Sequence, residues 1–93
     1  MTYLMVDQRV RDVQQWAQAF GAGTERRRAA GGEVVLVLAD PAEGDRVLVL
    51  VRFDSAAQAL AWRNRPGVAQ EIERGGVIAD SVTVRVLDAL PVA

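Results

Sequence analysis

Val34-Val35-Leu36-Val37-Leu38 and Val47-Leu48-Val49-Leu50-Val51 are two continuous apolar runs. Successive residues of a strand point to opposite faces, so a strand covered on one face alternates apolar and polar side chains. Runs without alternation predict strands that are apolar on both faces. A chain of 93 residues with two helical regions can cover one face of a sheet. The other face then needs a second copy of the chain, and the two runs together predict a homodimer assembled through its sheet faces.

Working outward from these runs, Asp40-Pro41-Ala42-Glu43-Gly44-Asp45 is turn chemistry, which makes a hairpin of the strands Glu33 to Ala39 and Arg46 to Phe53. Thr2 to Gln8 reads as a first strand and Ser81 to Leu87 as a last one. Between the first two strands Asp12 caps a helix, with Gln15 as its capping-box partner. Val13, Trp16, Ala17 and Phe20 follow at helical spacing as one apolar stripe. The helix is expected to run through Gly21 and Gly23 to Ala30, where Gly31-Gly32 ends it. Ser55 with Gln58 caps the second helical region, which carries Ala57, Leu60 and Ala61 and stops near Asn64. Pro66 suits the first position of a further short helix, Gly67 to Arg74, with Val68 and Ile72 inward. The order βαββαβ predicts an α+β, ferredoxin-like fold in one domain over 1–93: a four-stranded antiparallel sheet with helices on one face.

Composition narrows the chemistry. Hydrophobic content of 51% with 25% charged residues is that of a globular chain, and a net charge of -1 offers no funnel for nucleic acid or an anionic membrane. The chain has no Cys and no His, and all 11 of its basic residues are Arg. Thiolate and Schiff-base catalysis, the usual general base and the commonest transition-metal ligand are therefore excluded. No cofactor and no metal site are expected. No signal-peptide pattern opens the chain and no run approaches a membrane span, so a cytoplasmic location is expected. The topology is shared with RNA-recognition motifs, but the third strand is aliphatic where base-stacking rings would stand.

The chain resembles the dimeric α+β barrel superfamily, and within it the small stand-alone antibiotic-biosynthesis monooxygenase-like proteins. The resemblance is carried by Val10-Arg11-Asp12-Val13-Gln14-Gln15-Trp16 with Phe20, by Arg27-Arg28-Ala29-Ala30-Gly31-Gly32 and by Asp40-Pro41. It continues through Val49-Leu50-Val51-Arg52-Phe53-Asp54 and Glu71-Ile72 with Gly75-Gly76-Val77. It implies two sheets facing each other in a dimer, with a ligand cavity between sheet and helices in each subunit. It also implies a cofactor-independent oxygenase or polyketide cyclase acting on an aromatic or polyketide-like metabolite. The alternative is a non-catalytic binding or dimerisation module. Haem-binding branches use a His ligand, and many catalytic members place a His near the second helix, where this chain has Trp62-Arg63-Asn64.

Candidate site residues follow. Tyr3, Trp16, Phe20 and Trp62 are placed to line an apolar cavity under the helices and bind a flat ligand, or else simply fill the core. Asn64, with the Trp62 indole, could hold a substrate carbonyl or an anionic intermediate, or else end a helix before Arg65-Pro66. Asp7, Arg52 and Arg85 interrupt apolar strands. The two Arg could bind an acidic or enolate group, and a buried Asp7 with a raised pKa could act as general base. Their alternative is ion pairing at strand ends or a dimer interface. Arg26-Arg27-Arg28 reads as a solvated face of the first helix.

Overall fold

The computed structural model describes residues 1–92; Ala93, the last residue of the expected domain, lies outside them. The elements are β1 (Thr2–Arg9), α1 (Val13–Ala22), α2 (Thr24–Ala29), β2 (Glu33–Ala39), β3 (Arg46–Phe53), α3 (Ala56–Arg63), α4 (Val68–Arg74) and β4 (Thr83–Asp88), with a 3-10 turn at Ala79–Ser81 before the last strand. The four strands form one sheet in the order β2-β3-β1-β4, every neighbouring pair antiparallel. This is the expected ferredoxin-like arrangement.

Local chemistry explains the boundaries. The Asp12 carboxylate accepts from the backbone N–H groups of Gln14 and Gln15, and the Ser55 hydroxyl accepts from that of Gln58, so α1 and α3 both begin on side-chain caps. The expected first helix is two helices, broken at Gly23, whose backbone (φ -89°, ψ 2°) leaves the helical range. Glycine exposes backbone and loses the most entropy in a helix, so the second of the two glycines, Gly23, is where the ladder yields. Gly32 N–H donates to Arg27 carbonyl across Gly31 (φ 89°), the left-handed cap that turns the chain into β2. Pro66 does not open the next helix as expected: Gly67, at φ 87°, is the N-cap of α4, so the proline stands outside it. In the hairpin the Asp40 carboxylate accepts from the N–H groups of Ala42 and Glu43.

Strand parity divides the sheet. Leu4, Val47, Val49, Val51 and Phe53 are buried and meet Trp16 and Ala59 in the core. In α3 the fully buried residue is Ala59, while Leu60 of the apolar set read from the sequence is 41% exposed. A methyl group at the contact lets α3 lie close across β1, β3 and β4. The opposite face carries Tyr3, Met5 and Asp7 of β1, paired with Arg52, Leu50 and Leu48 of β3 and with Leu87, Arg85 and Thr83 of β4. A bulge at Val35 sets Leu36 and Leu38 opposite Leu50 and Leu48. Leu36 and Leu38 are 48% and 50% exposed. The bare face is thus apolar along β2 and β3, as the two runs predicted.

Candidate functional site

Between the inner face of the sheet and the helices lies an open cavity of about 370 Å³. Its floor is built by alternate residues of the strands, among them Leu4, Val6 and Gln8. Gln8 is a buried residue that brings a carboxamide into an aliphatic surface. Trp16 and Phe20, one helical turn apart on α1, stack with ring centroids 5.0 Å apart and close one side. Trp62, from the last turn of α3, borders another side.

Charge gathers at the end where α2 meets α4. The Glu71 carboxylate receives Arg26 at 3.3 Å and also Arg65. The Arg65 guanidinium lies 3.5 Å over the Trp62 ring and donates to the Trp62 carbonyl at 2.7 Å, which fixes the indole. Arg27 lies 3.9 Å over Phe20 and donates to the Phe20 carbonyl at 3.0 Å. Arg27 is only 5% exposed, contrary to the solvated face expected for the triple-Arg run. Burial, then the cations of Arg65 and Arg26, pull its pKa below the ordinary guanidinium value, with Glu71 acting in the opposite sense. Among the described residues no carboxylate forms an ion pair with it.

The candidates read from the sequence separate. Trp16, Phe20 and Trp62 come together around the cavity. Tyr3 does not join them: the parity that turns Leu4 inward turns Tyr3 to the bare face, beside Arg52. Arg52 and Arg85 share that face, away from the cavity, and Arg52 is paired with Glu33. Asp7 is there too, taking two hydrogen bonds from Arg46 at 2.9 and 2.6 Å. The raised pKa expected of Asp7 is reversed: the Arg46 hydrogen bond holds it below its ordinary 3.8. Asn64 is the exposed C-cap of α3, its N–H donating to Leu60 carbonyl at 3.0 Å, and it does not border the cavity. Gln8, Arg27 and Arg65, none of them placed at the site by the sequence, do border it. A signal existed for two of them. Gln8 extends the inward parity of Leu4 and Val6, and Arg27 stands seven residues beyond Phe20 on the apolar stripe. Among the described residues no group of three or more His, Cys, Asp or Glu could hold a metal ion, and no helix is long and apolar enough to cross a membrane.

No protein-family model matches the chain, and no curated protein matches its sequence. Solved structures do match its fold. Protein Atu4242 from Agrobacterium tumefaciens superimposes with a TM-score of 0.72 at 13% identity, over 97% of this chain and 94% of that one. Rv0793 from Mycobacterium tuberculosis gives 0.67 at 16% identity, over 100% and 99%. A candidate antibiotic biosynthesis monooxygenase from Nitrosomonas europaea gives 0.67 at 14% identity, over 98% and 100%. The chain therefore has the fold of the antibiotic biosynthesis monooxygenase-like proteins, end to end, as its sequence resemblance implied.

Proposed function

We propose that this chain is a small-molecule-binding α+β barrel, a single domain over 1–93 that pairs with a second copy through its bare sheet face and takes a flat, apolar metabolite into each cavity. The observation that carries the reading is the cavity itself. It is of ligand size, walled by Trp16, Phe20 and Trp62, and left open by the same aromatics that could have filled it. Binding would rest on ring contact with the two indoles and Phe20, with the Gln8 carboxamide as the polar group that sets orientation from the floor. The experiment is a calorimetric titration of a panel of two- and three-ring aromatic ketones and phenols. Trp62→Ala is expected to weaken the best binder by about tenfold, the loss of one ring contact. Asn64→Ala, outside the cavity, is expected to leave it unchanged. No binding across the panel, or equal binding by Trp62→Ala, would overturn the reading.

A second reading adds turnover. The chain would act as a cofactor-independent oxygenase or cyclase on an aromatic or polyketide-like metabolite. It is supported by the likeness in fold to proteins named as antibiotic biosynthesis monooxygenases. In such a role the residues bordering the cavity would act by positioning and by electrostatics, since Asp7 is ion-paired on the other face and Glu71 is engaged by two Arg. Oxygen uptake and product analysis with any ligand found by titration test it; quantitative recovery of the ligand would sink turnover and leave binding standing.

A further inference from the structure

The chain carries a net charge of -1, yet the charged residues bordering its cavity are five Arg and one Glu. The excess is concentrated where Arg26, Arg27 and Arg65 gather around the single carboxylate of Glu71. Arg27 is the telling member. Arg is almost never buried without a partner, because taking a guanidinium out of water costs several kcal/mol unless an anion or hydrogen bonds offset it. Arg27 is 5% exposed, and its side chain makes one hydrogen bond, to the Phe20 carbonyl. A guanidinium has five N–H donors. No other hydrogen bond of its side chain is found among the described residues, and Arg27 borders both the main cavity and a smaller one beside Gly32 and Val34. Its nearest charged neighbours include two further cations, so the protein itself supplies less negative charge than the corner calls for.

We propose that this corner is an anion subsite, and that the metabolite is a flat apolar acid whose carboxylate sits against Arg27, flanked by Arg26 and Arg65, while its ring body lies between Trp16 and Trp62. The inference rests on the cavity being a ligand site and adds the charge of the ligand. A planar carboxylate matches the guanidinium fork, and the aromatic walls demand an apolar remainder. Glu71 keeps Arg26 and Arg65 in place and disfavours a second negative charge. Neutral metabolites of the same shape would bind through their rings alone.

The test compares 2-naphthoate, 2-naphthamide and 2-naphthylmethylammonium by calorimetry on the whole chain, with the two Trp indole N–H resonances reporting where each ligand sits. Naphthoate is expected to bind at least about tenfold more tightly than the amide, with the ammonium weakest, and its advantage is expected to shrink as salt rises. Arg27→Gln is expected to bring naphthoate down to the level of the amide. Should that variant fail to fold, Arg26→Gln, at an exposed position on α2, is expected to lower the ratio of naphthoate to amide affinity, and an unchanged ratio would overturn the subsite. Naphthoate and naphthamide binding equally would overturn the anion subsite and leave the aromatic pocket standing. Shifts of neither indole with any of the three would overturn the pocket and the subsite together.

Discussion

Gly32 sits where the cationic corner meets the core. A Cβ built there would lie 2.9 Å from Cζ of Phe53 and 3.0 Å from Cγ of Arg27. Phe53 is among the most buried side chains of the chain and cannot swing aside. Gly32→Ala is therefore expected to destabilise the fold by about 1–3 kcal/mol, the range for overpacking, and to displace Arg27. Urea unfolding measures the first effect, and naphthoate affinity the second. Asp7 makes a different residue-scale prediction. Its pKa is lowered chiefly by the Arg46 hydrogen bond. A carboxylate whose pKa falls on folding adds stability that is fully present above its unfolded value, near 3.8, and lost as pH drops through the folded value. Arg46 is well exposed, so solvent screening holds the contribution to about 0.5–1 kcal/mol. Asp7→Asn is expected to be less stable than wild type by that amount at pH 6 and indistinguishable from it near pH 2, as read by denaturant midpoints. A difference of equal size at both pH values would show that packing, not charge, is lost.

At the scale of elements, the hairpin and its two strands were legible because apolar runs bounded by Asp40-Pro41 and Gly44-Asp45 admit one local structure. The first helix was legible in its start and its stripe but not in its continuity, since propensity alone cannot say which of two glycines yields. The cationic corner was hidden for a related reason. Arg26-Arg27-Arg28 looks like one charged surface, yet a helix turns about 100° per residue, and three consecutive residues point three ways. Tyr3 failed in the opposite manner: an aromatic was expected inside, but strand parity, fixed by Leu4 beside it, decides the face. Gly21 gives the prediction at this scale. It lies inside α1, exposed, with no atom within 4 Å of a Cβ added to it. Gly21→Ala is expected to stabilise the protein by about 0.4–1 kcal/mol, through helix propensity and a less flexible unfolded chain. Thermal unfolding checks it, and a lower midpoint would mean that α1 needs the flexibility of Gly21 beside the Gly23 break.

For the whole molecule, the question is what covers the face that the helices do not. Leu36, Leu38 and Leu87 are exposed there, and Leu48, Leu50 and Met5 are half-buried in the isolated chain. β2 is in addition an edge strand, with one side of its hydrogen-bonding groups unpaired. An apolar face that continues to an open edge is a liability in a monomer and an interface in an assembly. The ion pairs Arg46–Asp7 and Arg52–Glu33 frame this face and would give a sheet-to-sheet pairing its register. In a two-fold dimer each contact occurs twice, so a change at Leu48 and Leu50 touches four side chains. Each buried Leu is worth about 2 kcal/mol, and a charge in its place must also be desolvated. Leu48→Glu with Leu50→Glu is expected to raise the dissociation constant by more than about a thousandfold, giving monomers in sedimentation at concentrations where the wild type is expected to pair. Because the two residues point away from the cavity, those monomers, where they fold, are expected to keep the aromatic pocket and bind naphthoate. A double variant that stays dimeric and equally stable would move the interface off this face and leave the apolar runs of β2 and β3 without a partner.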